Sequence, residues 1–375
     1  MSITVRQATI DDKLEIFSFL DLAYGENARF KYPERWEWQF VHNPFKPLTE
    51  LPVWIAITEE GKIVGQSCAM YEPIKVGNKT LTIAWALDAI VLPDFRGLNL
   101  GFETLRTNCD TNGLWAGLSM AESSRHILTK LGCLPIDRVA VFERRLRVDS
   151  ESVSHSIGHR LNKNIFGQKL FICLERIKLA KGVAACGNLL IKIRDKFMAK
   201  PNDNGIQIIQ IDHFENSLDT WWDSIKADYP IIIQRDSKFL NWKFVDQPFM
   251  NYQRFLAVKD GQICGYVILR CATPPESNRG IIADILTQRQ DKSALESLVA
   301  FSVDFFKHKN LDLIEVASTI DEYMNIFKRF GFKKFKEMRP LVQTKVSLPV
   351  AEMIFAPDNW FLGRSDHDWD QFPLG

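Results

Sequence analysis

The feature that most constrains this chain is a repeat. "WQFVHNPF" at Trp38–Phe45 returns as "WKFVDQPF" at Trp242–Phe249, with Trp, Phe, Val, Pro and Phe in the same places. "WIAITEEGKIVGQ" (Trp54–Gln66) is answered by "FLAVKDGQICGY" (Phe255–Tyr266), and "ILTKLGC" (Ile127–Cys133) by "IFKRFGF" (Ile326–Phe332). The matches keep one order and are each displaced by about two hundred positions, so the chain reads as two copies of one fold. The middle pair has the alternation and the acidic-Gly turn of a β-hairpin. The last pair ends a helix on a glycine suited to a left-handed cap.

Each copy can be laid out coarsely. In the first, a strand (Thr4–Ala8) precedes a helix near Asp11–Ala23, then the hairpin, then a turn at Val76–Lys79 into "TLTIAWALDAIVL". A helix follows from about Asn99 to Thr111, then strand "LWAGLSM", helix "SSRHILTKL" and a last strand "RVAVFERRL"; the second copy repeats this from Ile206 to about Val346. Helices that follow a run of antiparallel strands make the class α+β (mixed α/β) rather than doubly wound. The expected organisation is a first domain over 1–148, a basic helical segment over 149–205, a second domain over 206–346 and an acidic tail over 347–375.

Composition excludes several classes. With 46% apolar and 25% charged residues and a net charge of +1, the chain has no global pull toward nucleic acid. Seven scattered cysteines without a close CxxC pair argue for reduced thiols and against a zinc ribbon. The start "MSITVRQATIDD" is polar, unlike a secretory leader, and no stretch reaches the roughly 18 apolar residues of a membrane span. The expectation is a soluble cytoplasmic protein.

One corner asks for a ligand. "VLPDFRGLNLG" (Val91–Gly101) ends a strand, turns through Arg96 and Gly97, and opens a helix. A helix N-terminus presents unsatisfied backbone N–H groups and the positive end of the dipole, which together favour an anion. Glycine lets a phosphate approach the backbone, and Arg96 adds a charged donor. The competing reading is a glycine-assisted turn with a surface arginine.

The hairpin, the long strand, this corner, the helix, the strand and the "KLG" segment, in that order, resemble the GNAT superfamily of acyl-CoA N-acyltransferases. The resemblance covers residues ~4–148 and again ~206–346. It implies that Arg96, Gly97, Leu98, Asn99, Leu100 and Gly101 cradle the pyrophosphate of acetyl-CoA or another acyl-CoA, with Asn99 standing where the first motif glycine is usual. Asparagine tolerates positive φ best among non-glycine residues. It implies further that backbone amides of Ile90, Val91 and Leu92 lie beside the thioester. The "WxWxxxxNP" segment at Trp36–Pro44 is similar to that of enzymes of bacterial cell-surface polysaccharide loci, which implies an amine acceptor on an amino sugar. A FemABX-like aminoacyltransferase and a degenerate acyl-CoA-binding or scaffold protein are the alternatives. The last is motivated by Asn99 and by Leu128 and Phe327, which stand where the superfamily often carries an acidic tyrosine.

Two carboxylates are candidates for the proton transfer that amine acylation needs. Glu122 opens a helix, where an acid is also favoured by the dipole alone. Asp88 lies just upstream of the corner, where a hydrogen-bonded acid at a strand irregularity is the competing reading. The second copy has no glycine in its corner, Gln288–Lys292, and is expected to bind no phosphate. Trp36 and Trp38 read first as packing and second as a platform for a sugar.

Residues 156–200 hold ten Lys/Arg against two acids. This segment reads either as a linker helix with solvated basic flanks or as an interfacial helix at an anionic membrane. The tail carries Asp366, His367, Asp368 and Asp370, which read as an exposed acidic tail rather than a metal site. No metal is expected.

Overall fold

The computed structural model describes residues 2–47, 51–151, 153–154, 179–198, 205–272 and 278–371. In chain order the strands are β1 (Ile3–Gln7), β2 (Val53–Thr58), β3 (Ile63–Val76), β4 (Lys79–Val91), β5 (Leu114–Gly117), β6 (Leu134–Pro135), β7 (Val139–Arg145) and β8 (Gln207–Ile211). They continue with β9 (Ile231–Ile233), β10 (Tyr252–Lys259), β11 (Gln262–Cys271), β12 (Arg279–Thr287), β13 (Leu313–Ser318), β14 (Lys333–Met338), β15 (Leu341–Thr344) and β16 (Trp360–Phe361). One sheet runs β1-β2-β3-β4-β5-β15-β6, and the other β14-β7-β13-β12-β11-β10-β8. Read from β1 and from β8, the two orders are the same.

Most pairs are antiparallel; β4–β5, β12–β13 and the short β9–β16 pair are parallel. Helices flank both sheets, so the class is α+β, as the order of elements in the sequence implies. The far end of β3 also pairs with β9, and β9 with β16, so part of the second half extends the first sheet.

The last strand of each copy lies in the other copy's sheet. β7 sits between β13 and β14, and β15 between β5 and β6. The links are short: Ile136–Arg138 leads into β7 and Arg339–Pro340 into β15. Where they cross, Ile136 N–H donates to Pro340 O at 3.1 Å. The strand "RVAVFERRL", read from sequence as closing the first copy, thus completes the second sheet. Val139, Val141 and Phe142 are buried there, in a hydrophobic core that runs through both halves.

The C-terminal segment is where the sequence reading needs correction. Trp360 to Gln371 is buried throughout, not an exposed tail. Its acids are held by cations that both copies supply: Arg35 NH2 donates to Asp368 at 2.6 Å and Arg235 NH2 to Asp366 at 2.7 Å. Arg364 pairs with Glu315 at 2.9 Å, and Tyr252 OH donates to Asp370 at 2.5 Å. Of the four residues expected in an exposed acidic tail, Asp366 and Asp370 are held from outside the segment, and Asp368 is shared by Arg35 and the neighbouring His367.

Alongside runs a fully buried bridge between the copies, Lys243 Nζ to Glu72 Oε1 at 2.7 Å. Lys243 also donates to His367 O at 2.9 Å, and Trp85 Nε1 to the other oxygen of Glu72 at 2.8 Å. Breaking such a pair from one side leaves a buried charge, whereas removing both charges does not. Lys243→Met should therefore cost about 3–5 kcal/mol in urea unfolding, and Lys243→Met with Glu72→Gln should recover most of that loss.

Candidate functional site

The corner at Val91–Gly101 is an open loop that runs into a helix start. After β4 a short turn at Pro93–Phe95 leads to Arg96, then Gly97 at φ +91° and Asn99 at φ +62°. Asn99 thus takes the left-handed conformation that a glycine would hold there. A Cβ added at Gly97 would meet nothing within 4 Å, so the space over the loop is open. The helix Leu100–Thr111 starts here, and Glu103 N–H makes its bond back to Asn99 O. The amides of Leu100, Gly101 and Phe102 precede that bond and find no partner within the helix.

The helix is aimed by its own side chains. Leu100, Leu105 and Cys109 turn inward. Asn108 Nδ2 donates to Ser67 Oγ at 2.8 Å and Cys68 O at 3.0 Å, while its Oδ1 accepts from Trp115 Nε1 at 3.0 Å. One amide so fixes the helix to β3 and β5.

Beside the loop the sheet opens. β4 pairs with β5 only at Ala84–Trp115 and Trp85–Ala116, after which the two strands part. Leu92 N–H is committed to Val64 O at 2.9 Å, and the alternation of a strand turns the Ile90 amide the same way, toward β3. The Val91 amide faces the gap. Of the three amides named from sequence, it is the one placed to donate there.

Gap and loop share one groove of about 690 Å³. Ile90, Val91, Arg96, Gly97, Asn99, Leu100 and Gly101 line it; Leu92 is buried and Leu98 points to solvent. Arg96 folds back, its Nε donating to Val91 O at 3.3 Å. Ser123, Ser124, His126 and Lys130, from the helix Glu122–Lys130, form the opposite wall.

The two carboxylates stand apart in this frame. Glu122 is exposed and does not line the groove. Asp88, at φ +50° in an irregular stretch of the β3–β4 ladder, receives Lys31 Nζ at 2.5 Å and Tyr24 OH at 3.2 Å. Burial and that carboxylate push the Tyr24 phenol well above its ordinary range.

Trp36 is buried in the core, and Trp38 stacks on Trp242 at 4.6 Å with its Nε1 donating to Trp242 O. This is the packing reading of the tryptophans, placed at the junction of the repeats. Trp38 and Trp242 also line a separate groove of about 510 Å³.

No family model matches the sequence, and no curated protein matches it. Solved structures match it in three dimensions. A GCN5-related N-acetyltransferase from Anabaena variabilis superposes with a TM-score of 0.55 at 10% identity, over 92% of this chain and 73% of its own. A probable N-acyltransferase from Enterococcus faecalis gives 0.55 at 10%, over 91% and 72%. N-myristoyltransferase from Saccharomyces cerevisiae, with bound myristoyl-CoA, gives 0.55 at 11%, over 93% and 80%. The fold is that of the GNAT proteins.

Within this GNAT fold the second half closes what the first leaves open. Tyr323 is fully buried; its hydroxyl accepts Thr287 N–H at 3.0 Å and meets Tyr229 OH at 3.0 Å. Thr287 pairs with Gly265 as Val91 pairs with Gly65, so the amide that faces the gap in the first half is capped in the second. The repeat aligns Tyr323 with Ser124, a correspondence carried by the sequence itself. At the second corner, Asp291 accepts from Ala294 N–H at 2.9 Å and so occupies the helix N-terminus itself.

The Asp88 region is backed by His367, whose Nε2 lies 3.1 Å from Ala86 O and Nδ1 2.6 Å from Asp368. Burial alone would lower the His367 pKa, but the Asp368 charge and both hydrogen bonds raise it. Burial would raise that of Asp368, but His367, then Arg35 and Lys31, hold it well below the usual range. The stability from Asp368 is present above its unfolded value of about 3.9 and lost as pH falls. That from His367 is full below about 6.5 and lost as pH rises through its raised folded value. Denaturation midpoints should therefore decline on both sides of a plateau between these limits, and His367→Asn should remove the alkaline decline and make the acid one shallower, leaving the part that Arg35 and Lys31 support.

Proposed function

We propose that the chain is an acyl-CoA-dependent N-acyltransferase whose first half carries the chemistry. The observation that supports this most is the open β4–β5 gap in one groove with the anion loop, against a second half in which Tyr323 and Asp291 fill both places. The groove fits the group: open space over Gly97 and free helix amides suit a pyrophosphate, and the wall of Ile90, Val91 and Ile127 suits an apolar arm.

In this reading the Val91 amide donates to the carbonyl oxygen of the thioester, where negative charge grows as an amine attacks. The N–C bond forms, the C–S bond breaks, and the thiolate leaves. Proximity carries most of the rate. The amine proton passes to solvent in the groove, because Glu122 does not line it and Asp88 is held by Lys31 and Tyr24. We further propose an acetyl group as cargo and an amino sugar as acceptor, carried by the resemblance of Trp36–Pro44 to enzymes of polysaccharide loci.

A Cβ at Gly101 would meet Val91 and Ile127 at 3.7 and 3.8 Å, ordinary contact, so a larger side chain there projects into the groove, and its unfolding midpoint is measured alongside binding. In calorimetry, Gly101→Val and Ser124→Tyr should each abolish binding of acetyl-CoA to a folded protein. Wild-type affinity in both variants would refute the groove. Glu122→Gln should keep turnover within a few-fold of wild type, whereas a fall in the ~10²–10⁴-fold range of general-base loss would return the proton to that residue.

A further inference from the structure

The groove of the first half has a sheet end and an outer stretch. Ile90 and Val91 line the sheet end. The outer stretch lies between the helices Leu100–Thr111 and Glu122–Lys130, with Phe102 on one wall and His126, Ile127 and Lys130 on the other. The walls are close, since a Cβ on Gly101 would stand 3.8 Å from Ile127 Cδ1. His126 and Lys130 are one helical turn apart and so share a face of their helix.

None of the lining residues is acidic; the titratable ones are Arg96, His126 and Lys130. Lys130 is exposed, and no described acid pairs with it. Other surface cations of this half do find acids: Arg6 holds Asp12, Lys13 holds Glu37 and Arg106 holds Glu103. The dipole alone favours a lysine in the last turn of a helix, but it does not account for a groove without acids. Phe102 is half-buried and packs against none of the hydrophobic cores, so folding does not account for its place either.

A partly exposed aromatic ring across from an unpaired cation suits a phosphorylated nucleoside, with the base on the ring and the phosphate on the cation. Acyl-CoA carries such a group. With its arm at the sheet end and its pyrophosphate at the loop, the adenosine and the phosphate monoester on the ribose remain for the outer stretch. We propose, on the acyl-CoA reading above, that Phe102 stacks the adenine and that Lys130 receives the ribose phosphate, so that the groove selects coenzyme A over its dephosphorylated form. A lysine suits this place because a flexible point charge meets a phosphate without a fixed orientation.

The test is calorimetry of the full chain with acetyl-CoA and with acetyl-dephospho-CoA, which lacks only that phosphate. The wild-type protein should bind acetyl-CoA about fivefold more tightly, a preference that fades with salt. Lys130→Gln should bind both ligands as the wild type binds acetyl-dephospho-CoA, and Lys130→Glu should prefer acetyl-dephospho-CoA. Phe102→Ala should weaken both ligands alike and keep the preference. Lys130 is exposed, so the unfolding midpoints of its variants should stay at the wild-type value. Equal affinity of the wild type for the two ligands would overturn the proposal and leave the acyl-CoA reading intact. So would a Lys130→Gln protein that keeps the wild-type preference. Binding of neither ligand would refute the acyl-CoA reading, and this proposal with it.

Discussion

Arg235 is wholly buried between two carboxylates, Asp284 of β12 at 2.8 Å and Asp366 of the C-terminal segment at 2.7 Å. That arrangement sets the rest. A buried guanidinium is tolerable only where anions meet it, so the stability of the core depends on the C-terminal segment that brings Asp366 to Arg235. The same segment meets the first copy through Asp368 and Arg35, and the Lys243–Glu72 bridge runs beside it. With β7 and β15 exchanged as well, neither sheet is complete without the other half. The two copies fold as one body because charge and strand pairing both cross between them.

The repeat extends into this network and explains its form. Lys31 precedes Trp38 by the same interval at which Arg235 precedes Trp242, and Asp88 and Asp284 stand three residues before the paired Val91 and Thr287. Each copy thus places a cation against an acid near a ladder irregularity of its fourth strand. Around that shared frame the copies diverge. The first keeps Gly97, Asn99 and Ser124, and has an open groove. The second has Asp291 and Tyr323, and has a sealed strand end. Where the first copy is open, the second is filled by its own side chains.

Much of the fold was legible because repeats, hairpin turns and the Val91–Gly101 corner are local patterns. What was not legible is non-local. β7 and β15 carry strand patterns that fit the same slot in either sheet, so nothing in their residues says which sheet takes them. The tail looked exposed because the arginines that hold its acids are remote in sequence; Arg35 lies 333 positions from Asp368, and Arg235 lies 131 from Asp366. Glu122 was named from its place at a helix start, yet the groove is lined by the residues just after it. Tyr323 was readable in principle from its alignment with Ser124.

The central claim is one ligand site in a chain of two like halves. Its most direct measurement is the stoichiometry of a non-hydrolysable acetyl-CoA analogue, by calorimetry and by native mass spectrometry of the intact chain. The account predicts one analogue per chain, with the Tyr323→Ser protein still binding one. Two per chain, or none at millimolar analogue, would contradict it.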